Sequence, residues 1–316
     1  MTDRLVILSI RIGRGRFMRS FAALALAALA VFAAGCRSTI PKERIGVCSW
    51  SWRMPIRDVA AHMEAGGVKG IHLALGPFIS PDGRHGAAED EAAWQFVKDC
   101  VKSGRWNLMS TMVGMVGEDY STLQSIRATG GIVPDATWEA NRRIVTRGAQ
   151  LTAELGCRFM STHAGFIDES DPAAFRKVVE RVRWMRDECA KYGVSLILET
   201  GQETADDLLK FLGAVDGDIG VNFDPANMVL YDKGRPMAAL DRLVPWIRQV
   251  HVKDAVYTEK PGTWGTEVPW GEGVVGGRSF IRALEANGYK GNYVVEREGG
   301  DNREGDIALA IRRLSE

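Results

Sequence analysis

Sulfur and imidazole are scarce in this chain, with five cysteines and five histidines in 316 residues. No Cys-x-x-Cys pair occurs, which removes the common zinc-ribbon and thioredoxin-type frameworks. Net charge is absent as well: 40 basic residues balance 40 acidic ones. A chain so balanced has no overall basic field to draw in nucleic acid, and no nucleic-acid partner is expected. Long apolar runs are missing too. The longest, Phe21 to Ala34, is about 14 residues, short of the roughly 20 that a membrane-spanning helix needs. No Gly-x-Gly-x-x-Gly follows the first strand, where a dinucleotide site would require it.

That apolar run is nevertheless informative. Arg4, Arg11, Arg14, Arg16 and Arg19 precede it, and it ends Ala33-Ala34-Gly35-Cys36. A basic stretch, a short apolar core and small residues before a cysteine resemble a bacterial lipoprotein signal. Residues 1–35 are therefore expected to be a cleavable signal segment, with Cys36 lipidated and residues 36–44 a short linker. The protein would face the periplasm or the outside, touching the membrane only through that anchor. Soluble secretion is the alternative, and Met18 offers a second start site. Cys48, Cys100, Cys157 and Cys189 remain, and are read as buried free thiols, the first and third on strands and the other two on helices.

From Ile45 onward, short β-rich runs alternate with longer helical patterns eight times. Strands are expected at Ile45–Trp50, Val68–Leu75, Asn107–Val113, Arg158–Thr162, Val194–Glu199, Ile219–Asp224, Ile247–Val252 and Asn292–Glu296. Among the helices between them, Asp171-Pro172 gives an N-cap followed by a first-turn proline, and Gly156 a left-handed stop. Gly117 to Pro134 reads as a polar loop, and Tyr257 to Gly277 as a loop rich in Gly, Pro and Trp. Strands joined through helices pair in parallel by right-handed crossovers. Eight such units over residues 45–316 indicate a single α/β domain, a closed (β/α)8 TIM barrel.

In such a barrel, chemistry gathers where strands end. Four adjacent strand ends carry Glu199, Asp224, His251 and Glu296. A lone acid there is often a cap or an ion-pair partner. Four in succession make a divalent-metal site of mostly oxygen ligands, suited to Mn, with Mg, Co or Zn as alternatives. An acid closing an apolar strand such as Ser195-Leu196-Ile197-Leu198-Glu199 is costly to bury without a partner.

The segments Leu198-Glu199-Thr200, Asn222-Phe223-Asp224-Pro225-Ala226-Asn227, His251-Val252-Lys253-Asp254 and Val294-Val295-Glu296 resemble the xylose isomerase-like superfamily. It comprises sugar (phosphate) isomerases and epimerases and the family-2 AP endonucleases. The resemblance implies one Mn-type ion on the same four residues, as in ketose 3-epimerases. It implies that Glu199 and Glu296 also act as the acid/base pair, with an enediolate stabilised by the ion. One departure stands out: those epimerases carry His three residues after the metal Asp, whereas Asn227 stands here, and Asn cannot shuttle a proton. An AP endonuclease is disfavoured, because its trinuclear zinc site needs more histidines than five.

Further candidates surround this set. His163, Lys253, Asn227, Trp50, Trp52 and Glu272 are expected to meet the substrate. Trp264 and Trp270 are candidate lid residues, His72 is assigned to the barrel interior, and His62 and His85 to the surface. The expected activity is a metal-dependent sugar isomerase or epimerase acting on a small-molecule sugar. A lyase or dehydratase acting on keto-sugars or 3-keto-glycosides is the alternative, and a non-catalytic sugar-binding lipoprotein a further one. By analogy with the superfamily, the protein is expected to form a homo-oligomer.

Overall fold

A computed structural model describes residues 39–79 and 89–316. The expected signal segment, the expected lipid anchor at Cys36 and His85 lie outside the described residues. Strands β1 (Ile45–Cys48), β2 (Gly70–Ala74), β3 (Asn107–Met112), β4 (Phe159–Thr162), β5 (Ser195–Glu199), β6 (Ile219–Phe223) and β7 (Ile247–Val252) follow in chain order. A hairpin, β8 (Asp254–Val256) and β9 (Thr266–Val268), precedes β10 (Asn292–Val295). The barrel closes in the order β1-β10-β7-β6-β5-β4-β3-β2. Neighbouring barrel strands pair in parallel, as where Val47 faces Val295 and Leu198 faces Val221. This is a (β/α)8 TIM barrel.

The two faces of the barrel wall differ in chemistry. Outward residues such as Val250, Val252 and Phe223 join the apolar layer under the helices. Phe223 packs against Phe280 of the helix Gly277–Ala286, with ring centroids 6.0 Å apart. Burying one such ring contributes about 2–3 kcal/mol. The interior, by contrast, is largely polar. Ser110 of β3 donates to Gln249 Oε1 of β7 at 2.7 Å, and Gln249 Nε2 donates to Asn222 Oδ1 at 3.2 Å. β3 and β7 are not neighbours in the sheet, so the first bond crosses the barrel. Register shifts at Ile71/His72 and Val221/Asn222 locally re-aim side chains of β2 and β6. At the closed end, Met109 fills the space over Gly70, where a Cβ would come within 2.3 Å of its Cε.

Helix starts follow local chemistry. Asp171 Oδ1 accepts from the N–H groups of Ala173 and Ala174 at 2.9 and 3.1 Å, capping the helix Pro172–Ala190 as expected. Elsewhere the structure departs from the sequence reading. The loop 117–134 contains a helix, Leu123–Thr129, closed by a Thr122/Ser125 capping box. Its single buried apolar residue, Ile126, left no periodicity to detect. The loop after β7 carries β9, which pairs antiparallel with β8. Several strands end a residue or two early, β1 most of all: a 3-10 turn, Ser49–Trp52, replaces its expected end. At the other end, Ile40 is buried and its N–H bonds Leu314 O at 3.4 Å, so the packed body starts before Ile45. The four described cysteines are free and buried, though Cys157 precedes β4 rather than lying on a strand.

Candidate metal centre and active site

Glu199 is the last residue of β5. Asp224 follows β6 and caps the helix Pro225–Leu230, its Oδ1 accepting from Asn227 N at 2.9 Å. His251 is the penultimate residue of β7. Glu296 follows β10. These strands are neighbours in the barrel, so the four side chains converge. Four ligand atoms, one from each residue, lie within 4.8 Å of one another. His251 Nδ1 stands 3.6 Å from Glu199 Oε1, 3.5 Å from Asp224 Oδ2 and 3.3 Å from Glu296 Oε2.

Two of these atoms decide whether an ion fits. Asp224 Oδ2 and His251 Nδ1 are buried and have no hydrogen-bond partner among the described residues. Orphaned buried polar atoms are costly, and here they face one point shared with two further carboxylates. Three buried carboxylates and an imidazole suit a hard divalent cation, so the residues present fit one.

The surrounding groups hold this cluster in place. Lys253 Nζ donates to Glu296 Oε2 at 2.8 Å and to Glu298 Oε2 at 2.7 Å, and lies 3.6 Å from Asp224 Oδ2. Burial alone would raise the Glu296 carboxyl, but Lys253 and His251 outweigh it and keep it well below the usual carboxylate range. Glu199 is also lowered: burial opposes, and His251 and His163 prevail. His163 Nε2 sits 3.3 Å from Glu199 Oε1. Burial would lower its pKa, yet Glu199 raises it to about 9. Trp50 Nε1 donates to Glu296 Oε1 at 2.8 Å.

Asn227 bridges the two sides, its Nδ2 donating to Glu199 Oε1 at 3.2 Å and its Oδ1 accepting from Lys253 at 3.3 Å. An amide donates and accepts at once, and so orients both groups. Beneath the cluster, His72 Nδ1 lies 3.2 Å from His251 Nε2, so the interior histidine supports a cluster residue from below.

A cavity of about 540 Å³ opens above the cluster. Trp50, His163, Asn227 and Lys253 line it, as does Trp264, with Glu199 and Glu296 at its base. Three expectations fail. Trp52 lies outside the lining, its ring 6.1 Å from that of His62. Both tryptophans belong to the 3-10 turn, whose three-residue period sends residues two apart in different directions. Glu272 instead meets Arg313 at 3.2 Å. Its loop wraps around Asp254, whose carboxylate accepts from Gly271 N and Val275 N at 2.9 and 3.0 Å. Trp270 is buried against Phe280 and cannot act as a lid. His62 is half-buried beside Glu304.

Sequence reasoning missed Arg53, Glu118, Tyr120, Tyr231, Glu298 and Arg303, all lining the cavity. Only Glu298 had a signal: it stands two residues after Glu296, on the same strand-like alternation.

A family described as the xylose isomerase-like TIM barrel matches residues 118–316, which hold all four cluster residues. The chain belongs to this family. Among curated proteins it is similar to inosose dehydratase from Serratia proteamaculans (strain 568), 32% identical over 117 residues. That match spans 31% of this chain and 38% of the relative's length. The fold is similar to that of a xylose isomerase domain protein from Planctomyces limnophilus, with TM-score 0.72 and 27% identity, covering 85% of this chain and 93% of that one. It is also similar to a xylose isomerase-like TIM barrel protein from Mycobacterium smegmatis in complex with magnesium, with TM-score 0.63 and 18% identity over 86% of this chain and 96% of that one.

Proposed function

We propose that the protein is a divalent-metal-dependent isomerase or epimerase of sugars, moving a proton at a carbon next to a carbonyl. One observation carries this reading. Of the four cluster residues, Glu199 and Glu296 line the cavity, while Asp224 and His251 are fully buried beneath it. Two residues are placed to hold an ion only, and two to hold it and also meet substrate. The magnesium bound by the Mycobacterium smegmatis protein supports an ion of this kind, with manganese as the favoured occupant.

A bound divalent ion supplies Lewis acidity that polarises the carbonyl and acidifies the neighbouring C–H. The chain's residues do the rest. One of Glu199 and Glu296 accepts the proton on a carboxylate oxygen, and the other returns a proton to the opposite face or the adjacent carbon. β6 and β7 separate their strands, so the pair flanks the cluster. Asn227 and His163 hold Glu199 in position, as Lys253 and Trp50 hold Glu296. The rings of Trp50 and Trp264 offer apolar faces to a sugar's C–H surface.

Dehydration is the second reading, favoured by the similarity to inosose dehydratase. The first step is shared: a glutamate takes the proton, then the neighbouring C–O bond breaks and the departing hydroxide leaves as water after taking up a proton. Incubation with ketoses, 3-keto-sugars and their glycosides in D2O, followed by NMR after chelating the ion, separates the two. Deuterium at one carbon with the skeleton intact supports isomerisation or epimerisation; loss of a leaving group supports elimination. No exchange with any of them refutes both. Export with a lipid on Cys36 belongs to the same proposal, supported by the Arg-rich segment and Ala33-Ala34-Gly35-Cys36. Labelled palmitate incorporated by the wild type and lost in Cys36→Ser tests it.

A further inference from the structure

The charges lining the cavity do not cancel locally. Every carboxylate there already has a protein partner. Glu199 and Glu296 are held as described, and Glu298 accepts from Lys253. Glu118 accepts from the N–H groups of Met115 and Gly131 at 3.2 and 2.9 Å. The cations divide differently. Lys253 is fully engaged, whereas Arg53 and Arg303 also line the cavity and neither has a carboxylate partner among the described residues.

The contrast with Arg297 sharpens this. Arg297 lies in the loop that leads into the helix Arg303–Ser315, and Glu267 at 2.8 Å and Asp306 at 2.9 Å neutralise it. Arg303 has no such pair. Burial first and Arg53 second press its guanidinium below its ordinary value, against the weaker opposite pull of Glu267 and Glu298. Two guanidinium groups lining one cavity repel one another, and an anion bound between them relieves that repulsion. Arg53 is further held in the left-handed region, φ 53° and ψ 44°, which side chains other than glycine adopt only at a cost. Its N–H is tied back to Trp50 O at 3.1 Å, coupling Arg53 to the residue that donates to Glu296.

We propose that Arg53 and Arg303 form an anion-binding end of the cavity, and that the substrate is a sugar bearing an acidic group, held there while its carbonyl end faces the two glutamates. The inference rests on the reading of this cavity as the active site. A guanidinium fork matches a carboxylate or a phosphate with paired hydrogen bonds. Two such forks lining the cavity that also holds the two proposed proton-transfer carboxylates orient the substrate, so that the anion sets which carbon is presented.

The test is calorimetric titration of the full magnesium-loaded chain with D-glucuronate, D-glucose 6-phosphate and D-glucose. The expected result is that at least one acidic probe binds about tenfold or more tightly than glucose, with its advantage shrinking as salt rises. Which acid wins tells a carboxylate from a phosphate. In the double variant Arg53→Met with Arg303→Met the preference disappears, while Arg53→Lys with Arg303→Lys keeps part of it; magnesium content and melting temperature confirm that each variant folds. Equal affinity for the three probes, binding of none, or a preference that survives the double Met substitution overturns the proposal. Magnesium binding without sugar is measured in parallel on Asp224→Asn. Magnesium kept by Asp224→Asn while the wild type shows the anion preference defeats the proposed function alone, and magnesium lost from Asp224→Asn with no anion preference in the wild type defeats only the arginines.

Discussion

The two halves of the barrel rim are unlike. At or within one residue of the ends of β5, β6, β7 and β10 stand Glu199, Asp224, His251 and Glu296, with Lys253 just beyond. β1 to β4 end in Cys48, Ala74, Met112 and Thr162, which carry no formal charge and are buried. Ionisable cluster residues thus crowd one half, and the other half supplies a wall finished by Trp50 and His163. The difference shows how one barrel divides its labour. Charge is concentrated where several strand ends converge, and the opposite wall is weakly polar. Arg53 and Arg303 sit after β1 and β10, at the seam between the halves.

The comparison can be broken most completely at Asp224. Asp224→Asn keeps a side-chain oxygen to cap the helix Pro225–Leu230 but removes a charge from the cluster. We expect metal affinity to fall about 100-fold or more, read by metal analysis after dialysis; unchanged content would refute the assignment. Glu199→Gln and Glu296→Gln sharpen the picture within the charged half. Each should cost about 10²–10⁴-fold in turnover, with metal content falling less than in Asp224→Asn. Deuterium wash-in tells the proton-abstracting glutamate from the returning one, and two variants with wild-type rates would contradict the acid/base pair.

A smaller effect is expected at Glu203, in the loop after β5. Burial holds its carboxyl up at about 7, against 4.5 for the free group. The fold favours the protonated form, so this contribution is complete below about pH 4.5 and is lost as pH rises through about 7. Glu203→Gln should therefore stabilise the protein by on the order of 2 kcal/mol at pH 8 and by almost nothing at pH 4. Melting temperatures at the two pH values check the sign, and equal shifts at both would disprove it. The smallest effect belongs outside both halves. Glu272→Ala removes only an exposed ion pair with Arg313 and should change stability by less than about 1 kcal/mol and leave turnover unaltered; a large loss of activity would return Glu272 to the site.

How much of the site was legible depends on which rule placed each residue. Glu199, Glu296 and Lys253 were found because a strand has period two and ends abruptly, and both facts are local. His163 and Asn227 stood next to such ends. Trp50 and Trp52 were both candidates because they stand at the end of the first strand, and the 3-10 turn Ser49–Trp52 then separates their directions. Glu272 was drawn toward the site by its loop, but Asp254 gathers that loop through backbone N–H groups, an arrangement no spacing announces. Arg53 and Glu118 come from two loops and Arg303 from the start of a helix, all far apart in the chain, and nothing in their neighbours marks them.

By itself, then, the sequence determined the repeating strand–helix order, the barrel it implies and the four residues that share a rim, because backbone periodicity and apolar burial act over a few residues at a time. Tertiary structure alone decided which of those four meet the cavity, which buried atoms lack partners among the described residues, and which cations line that cavity without a carboxylate partner there. Those properties depend on closing the sheet, which brings β1 beside β10 and makes neighbours of loops that begin more than 240 residues apart, Arg53 and Arg303 among them.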